Sequence, residues 1–378
     1  MGKRIKVALN YHYDENWIGG TYYIQNLIHA LQTLDDAKKP VLHIKSNNEN
    51  SVSDLKKLTS YPYFETYNPY NKINTVKRVF NKISRTITQS NIFPLYQKFD
   101  AVFPAAYQEK ENLENKIFWI PDFQEKYLPH FFSEKEIAER DLCYKKIQQN
   151  AHSVIFSSKD AQKDFNKFYL DAKPKQFVLN FATFHQNHNL PLKEEVFKKY
   201  NIIGDYFLCS NQFWVHKNHI VILQAISLLK KEGISITVVF TGKENDYRNP
   251  DYFSDLKEHT RILEIEENVK FLGFIDRNEQ IVLLKNCKSI IQPSLFEGWS
   301  TVNEDAKSEN AFIISADLEV NLEQLKNYPN YRIFEAKNAQ SLADEIKKDN
   351  FEIQEIDYTK DIKKFGERFL EIVQNINK

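Results

Sequence analysis

The stretch Ser289-Ile-Ile-Gln-Pro-Ser-Leu-Phe-Glu-Gly-Trp-Ser-Thr-Val-Asn-Glu-Asp-Ala-Lys307 decides how this chain is read. It opens with the apolar, β-branched character of a buried strand and closes with the composition of a helix. The turn between them carries Gly298, which permits close backbone approach, and Ser300 and Thr301, whose amides would open the helix and can face a phosphate. Strand, polar turn and helix in that order form the unit of parallel α/β architecture, in which ligands gather at the carboxyl ends of strands. Glu297 stands at such an end and would point into a cleft. Glu304, on the helix, can accept bonds from the hydroxyls of a sugar or ribose.

The same alternation continues outward in both directions. Upstream, Tyr206–Ser210, Ser235–Thr241 and Val269–Leu272 read as strands, separated by helices at Asn218–Lys231, Asp251–Leu263 and Asn278–Asn286. Downstream, Ala311–Ser315 closes the core of this series. An earlier series starts at Arg4–Asn10, passes a Gly19–Gly20 turn, and enters a helix with Ile24, Leu27, Ile28 and Leu31 at helical spacing. Its later strands are Leu42–Lys45, Ala101–Pro104, Ile117–Ile120, Ser153–Ser157 and Phe177–Phe181, and Ser133 with Glu136 form a capping box. The polar stretch His185–Lys198 reads as the connection between the two series. At 378 residues the chain accommodates two domains. The expected division is 1–184 and 185–359, with a final helix at 360–378 carrying Ile362, Phe365, Phe369, Ile372 and Ile376 on one face.

A second turn carries chemistry as well: Cys209-Ser-Asn-Gln-Phe-Trp-Val-His-Lys-Asn-His219. Lys217 falls at the start of a helix, where the macrodipole disfavours a cation unless an anion binds beside it. His216 and His219 lack a third ligand nearby, which argues against a metal. Phe213, Trp214 and Trp299 are aromatic surfaces for a base, or simply packing residues.

Several function classes drop out. Lys and Arg together number 51, as do Asp and Glu, so no global charge favours nucleic acid. Only nine glycines occur, with no Gly-x-Gly-x-x-Gly and no Gly-x-x-x-x-Gly-Lys-Ser/Thr, which weakens dinucleotide dehydrogenase chemistry and excludes P-loop phosphoryl transfer. No Asp-x-Asp is present to hold a metal on a diphosphate, so a diphosphate would need helix N-termini and side-chain cations, with no metal and no cofactor beyond the co-substrate. Three dispersed cysteines form neither a disulfide framework nor a zinc ribbon, and no signal peptide or spanning segment is evident; the expected location is cytoplasmic, either free or peripheral at the inner face of the membrane.

Together, Trp-Val-His-Lys-Asn, Ser-Leu-Phe-Glu-Gly and Glu-Asp-Ala-Lys resemble the donor site of family-4 glycosyltransferases of the GT-B fold. The resemblance extends over the chain, because Gly19–Gly20 looks like the family's glycine loop and Ile120-Pro-Asp-Phe-Gln occupies its His-Asp position. It implies two facing Rossmann-like domains with a C-terminal helix returning to the first. It also implies a retaining, metal-independent transfer of a hexose-type sugar from a UDP- or GDP-type donor to a glycan or lipid-linked acceptor, in surface polysaccharide or glycoconjugate synthesis.

By the same resemblance Lys217 would stabilise the departing phosphate and Glu297 would hold the transferred sugar. Asn211, Gly298, Trp299, Ser300, Thr301 and Glu304 would bind the donor, with Glu304 on the ribose, and Gly19, Gly20 and Asp122 would line the acceptor side. Three departures stand out. Six residues separate Glu297 from Glu304 where the family has seven, Asn211 replaces an arginine, and Pro121 replaces the histidine beside Asp122. Two alternatives use the same site differently: a GT-B nucleotide-sugar epimerase, and an inactive transferase-like partner protein.

Between Lys72 and Lys98 lie six basic residues and no acidic one, with Val76, Val79, Phe80, Ile83 and Ile87 at helical spacing. Such a segment suits either a helix packed on the first sheet or a peripheral contact with an anionic membrane.

Overall fold

The computed structural model describes residues 4–13, 18–46, 48–67, 76–77, 79–84, 98–106, 115–185 and 190–377. The described residues build two parallel sheets. The first contains β1 (Lys6–Asn10), β2 (Val41–Lys45), β3 (Phe64–Thr66) and β4 (Ala101–Phe103) in the order β3-β2-β1-β4. A single bridge, Val102 to Lys116, carries it on to β5 (Ile117–Ile120), β6 (Ser153–Phe156) and β7 (Lys175–Val178).

The second sheet contains β8 (Phe207–Ser210), β9 (Val238–Thr241), β10 (Val269–Phe271), β11 (Ser289–Gln292), β12 (Ile313–Ala316) and β13 (Tyr331–Phe334), in the order β10-β9-β8-β11-β12-β13. The series therefore does not close at β12. β13 and the helices Glu319–Leu325 and Ala339–Lys347 extend it. β13 and β3 escaped the sequence reading because they lie at sheet edges, where short, half-exposed strands lack a continuous apolar run.

Order in the second sheet reverses between β8 and β11, which pair through Ser289–Phe207 and Ile290–Leu208. Chain leaving these neighbouring strands diverges to opposite faces and opens a crevice between the two turns. Those are the turns that carry Lys217 and Glu297. In the first sheet β1 has β2 on one side and β4 on the other, so its turn faces the equivalent crevice.

Gly19 and Gly20 lie in the first turn of helix Ile18–Gln32, not in the turn before it. Ile24, Leu27, Ile28 and Leu31 of that helix are all buried. Helix Thr359–Ile376 packs across it, burying Ile362, Phe365, Phe369, Ile372 and Ile376, each worth roughly 1.5–3 kcal/mol. Its Gly366 is required by the crossing: a Cβ there would lie 2.7 Å from the Ala30 carbonyl oxygen. Ser133 caps helix Glu134–Asn150 as the sequence implies, its Oγ accepting from the Glu136 amide at 3.2 Å while its amide donates to Glu136 Oε2 at 2.9 Å. Among the described residues no helix is long and apolar enough to cross a membrane.

Candidate active site

A cleft of about 670 Å³ lies between the two sheets. Gly19, Gly20 and Asp122 line it from the first half, and Asn211, Lys217, Glu297, Gly298, Trp299, Ser300 and Thr301 from the second.

Lys217 occupies a short 3-10 turn, Val215–Lys217, ahead of helix His219–Lys231 rather than within it. Asn218 reverses the chain there in the left-handed region (φ 53°). Its side-chain amide fixes the turn by donating to the carbonyls of Pro293 and Ala336 at 3.1 and 2.7 Å. Lys217 Nζ then reaches Glu297 Oε1 at 2.6 Å. The same oxygen accepts from Gln292 Nε2 at 2.7 Å, and Gln292 Oε1 accepts from Asn211 Nδ2 at 2.8 Å. Asn211 thus acts through Gln292 to orient Glu297, leaving Glu297 Oε2 without a protein partner among the described residues.

Two helix N-termini meet in the same cleft as this pair. A Cβ placed on Gly19 would lie 4.0 Å from Thr301 Oγ1, so the start of helix Ile18–Gln32 faces the start of helix Thr301–Ser308. The first of these has no acidic residue in its opening turn. Opposed positive dipole ends beside a lysine form an anion site. The Ser300 amide, however, donates to Gln324 Oε1 at 3.2 Å, and Ser300 Oγ caps the Asn303 amide at 3.2 Å. The amides of Thr301 and Val302 are the ones left for an anion.

Gly298 serves a different close approach from the one the sequence suggests. A Cβ there would sit 2.6 Å from the Pro121 carbonyl oxygen and 2.8 Å from Asp122 Cβ, so Gly298 lets the two halves meet across the cleft. Asp122 Oδ1 accepts from the Gln124 amide at 3.0 Å. Burial raises the Asp122 pKa and neighbouring Glu297 adds to the rise, outweighing the Gln124 amide, Arg140 and Lys217.

Glu304 corrects the sequence expectation most clearly. It does not line the cleft and is 1% exposed. Its Oε1 accepts from Trp299 Nε1 (3.1 Å), Lys307 Nζ (2.9 Å) and Gln324 Nε2 (2.9 Å), and its Oε2 from the Tyr358 hydroxyl. Tyr358 in turn accepts from the Thr183 amide at 3.0 Å, and Trp299 Nε1 also donates to the Phe181 carbonyl at 3.2 Å. Glu304 therefore ties the second half to the chain crossing back to the first. No side-chain oxygen remains for a ribose.

Asp305, one residue on and about 100° around the helix, faces the cleft instead. Its Oδ1 accepts from Arg277 at 2.7 Å and lies 3.0 Å from His185 Nε2. Burial works to raise the Asp305 carboxyl, but Arg277 and His185 hold it down at about 2. His185 also lies 2.6 Å from Glu309 Oε1. Burial opposes its charge, yet the two carboxylates prevail and raise its pKa.

His216 lines the cleft and His219 is buried against Phe213, ring centroids 4.8 Å apart. Burial depresses both imidazoles, His219 to about 3, so both are neutral. Among the described residues no group of three or more His, Cys, Asp or Glu is placed to hold a metal. Phe213 is fully buried, which removes it as a base platform, whereas Trp214 faces the cleft with the Arg248 guanidinium 4.8 Å from its ring.

Arg140, Arg248, Arg277 and Asp305 are cleft residues that the sequence reading missed. The signal for Asp305 was present: it stands with seven residues between itself and Glu297. The three arginines come from segments without a motif.

Residues 193–352 match the family described as Glycosyl transferases group 1, a stretch that contains Lys217, Glu297 and Asp305. Among solved structures the chain is similar to a glycosyltransferase from Rickettsia africae, with a TM-score of 0.65 and 17% identity over 100% of both chains. It is similar also to HepE from Anabaena, solved with UDP and glucose, at a TM-score of 0.62 and 15% identity over 99% of this chain and 98% of that one. WaaG, a glycosyltransferase involved in lipopolysaccharide biosynthesis, aligns with a TM-score of 0.58 and 10% identity over 98% and 95%. No curated protein sequence matches significantly. The fold is GT-B, with two Rossmann-like domains.

Proposed function

We propose that this protein is a retaining, metal-independent glycosyltransferase. It would move a hexose-type sugar from a UDP- or GDP-type donor to a hydroxyl of a glycan or lipid-linked acceptor, in surface polysaccharide or glycoconjugate synthesis. The observation that carries this reading is the Lys217–Glu297 pair, 2.6 Å apart, in a cleft that two helix N-termini also line. The anomeric C–O bond of the donor breaks with negative charge accumulating on the leaving diphosphate, while the acceptor hydroxyl forms the new C–O bond on the same face and passes its proton to that phosphate. Lys217 and the amides of Thr301 and Val302 stabilise that charge, and preorganised donors of this kind are the largest catalytic term in comparable sites. Glu297 Oε2 accepts from hydroxyls of the transferred sugar. Asp305, in place of Glu304, holds the ribose.

Asp122 and the Gly19–Gly20 turn lie on the acceptor side, with 1–184 as the acceptor half and 185–359 as the donor half. The family match over 193–352 supports the donor half, and the UDP-glucose complex of the Anabaena protein supports a nucleotide-sugar co-substrate. Incubation of the purified protein with UDP- and GDP-sugars in excess EDTA tests the reading. Release of the nucleoside diphosphate, with the anomeric configuration kept in the product, is expected. A sugar isomerised without acceptor would replace transfer by epimerisation. No turnover and no thermal shift with any donor would point to an inactive partner protein.

A further inference from the structure

A diphosphate drawn into a cleft brings negative charge on both phosphates, and charge taken out of water needs partners. Lys217 is one cation, but it is already paired with Glu297 at 2.6 Å. Asn211 adds none, because its buried side-chain amide is spent on Gln292. The remaining charge has to be met elsewhere in the cleft.

The other cations that line the cleft occupy different places. Arg140 and Arg248 crowd one ring, Phe132, 4.9 and 5.4 Å from its centre. Lys243 follows β9, on the side of β8 away from β11. Arg277, at the first position of helix Arg277–Asn286, lies between the two helices whose N-termini meet. It donates to Asp305 of helix Thr301–Ser308 at 2.7 Å, and its guanidinium lies 5.4 Å from the ring centre of Tyr22 in helix Ile18–Gln32. Asp305 stands about 6 Å along its helix from Thr301, and Tyr22 about 4.5 Å along its own from Gly19.

That place selects one phosphate. With the terminal phosphate on the Thr301 and Val302 amides and the ribose on Asp305, the phosphate joined to the ribose falls between them, beside Arg277. Gln280 Oε1, 2.7 Å away, and Asp305 hold the guanidinium in position and spend only part of its fork of N–H groups. Asp305 does not cancel the charge either. Arg277, His185 and Lys285 together face Asp305 and Glu309. Burial opposes the charge on His185, but the two carboxylates raise its pKa, so the cluster has cations to spare.

Taking the nucleotide-sugar reading of the cleft as given, we infer that Arg277 binds the inner phosphate, so that it and Lys217 divide the diphosphate between them. The inner phosphate gains no charge when the sugar leaves. Arg277 therefore contributes equally before and during bond breaking, and R277Q should raise the donor KM while kcat stays within about threefold.

Titration of the full-length protein by ligand-observed NMR tests the division, with uridine, UMP and UDP and in parallel with guanosine, GMP and GDP. The series that binds the wild type carries the comparison. R277Q should leave the nucleoside within about twofold and weaken both nucleotides about tenfold or more, the worth of a charge-assisted hydrogen bond. Retained nucleoside binding shows that the variant site is folded. K217A should weaken the diphosphate and spare the monophosphate. Equal losses for nucleoside, monophosphate and diphosphate in R277Q would overturn the assignment, because Arg277 would then only support Asp305. A wild-type diphosphate affinity in R277Q would overturn it as well. A wild-type protein that binds neither series would instead sink the nucleotide-sugar reading, and the assignment with it.

Discussion

Helix Thr301–Ser308 has two faces that do different things with the same kind of side chain. On one face Glu304 is sealed in, its two oxygens shared among Trp299, Lys307, Gln324 and Tyr358. On the other, Asp305, itself only 3% exposed, lines the cleft with Arg277 and His185 held against one of its oxygens. Both are carboxylates near the start of a short helix, and composition does not separate them. A rotation of about 100° does. One position along a helix divides a group that holds two domains together from a group that can meet a ligand.

The largest expected effect lies on the sealed face. E304A leaves the Lys307 ammonium buried without its main partner, and loss of one member of a buried pair costs about 3–5 kcal/mol. Chemical denaturation should show that loss, while the fraction still folded binds donor normally. Selective loss of donor affinity at unchanged stability would return Glu304 to the binding site.

The cleft side should respond in the opposite manner. K217A should lower turnover by about 10²–10³, the usual consequence of removing one preorganised donor from a developing charge. Its melting temperature should fall less than that of E304A, because Lys217 and Glu297 are the less buried pair and Glu297 keeps its bond from Gln292. A near wild-type rate would remove Lys217 from the chemistry. Next in size, D305N keeps the shape of the side chain and removes its charge. Donor affinity should fall by about tenfold, the worth of one charge-assisted hydrogen bond, whereas E304Q should leave affinity within about twofold. Equal effects from the two variants would erase the distinction between the faces.

The smallest effect is one of pH. His185 is faced by Asp305, Glu309 and Ser308 from one helix, by Arg277 directly, and by Lys285 through Glu309. Its pKa is raised above the ordinary 6.5, so its stabilising charge is fully present below 6.5 and is lost as pH rises through the raised value. Stability should therefore decline on the alkaline side of that value. H185Q should flatten the decline. An identical slope in the variant would show that another group titrates. Asp305 works at the other end: held at about 2, it contributes stability above its ordinary 3.8 that is lost as pH falls toward 2.

Much of this was legible in the sequence because the second sheet is buried on both faces, and buried strands such as Ser289–Gln292 write themselves as apolar runs. The turns after β8 and β11 were legible for the same reason, and the strand order explains why Lys217 and Glu297 meet. Four things were not. Rotation about helix Thr301–Ser308 depends on where its 3-residue approach, Gly298–Ser300, starts the helix, and the family-like Glu-Asp-Ala-Lys pattern masked the better spacing of Asp305. The role of Gly298 depends on Pro121, whose approach comes from the opposite half. Arg140, Arg248 and Arg277 reach the cleft from three separate segments, and only the tertiary fold brings them together. The segment 72–98 was legible as basic and amphipathic, but which way its apolar stripe faces is a tertiary fact; Lys72, Arg78, Arg85 and Ile87 lie outside the described residues.

A crystal structure with a bound nucleoside diphosphate, UDP or GDP, grown without divalent metal, tests whether Lys217 and helix amides take the charge of the departing nucleotide. Terminal phosphate oxygens are expected within hydrogen-bonding distance of Lys217 Nζ and of the Thr301 and Val302 amides, and a ribose hydroxyl on Asp305. A diphosphate bound away from Lys217, or a ribose on Glu304 with its links to Tyr358 and Lys307 broken, would contradict it.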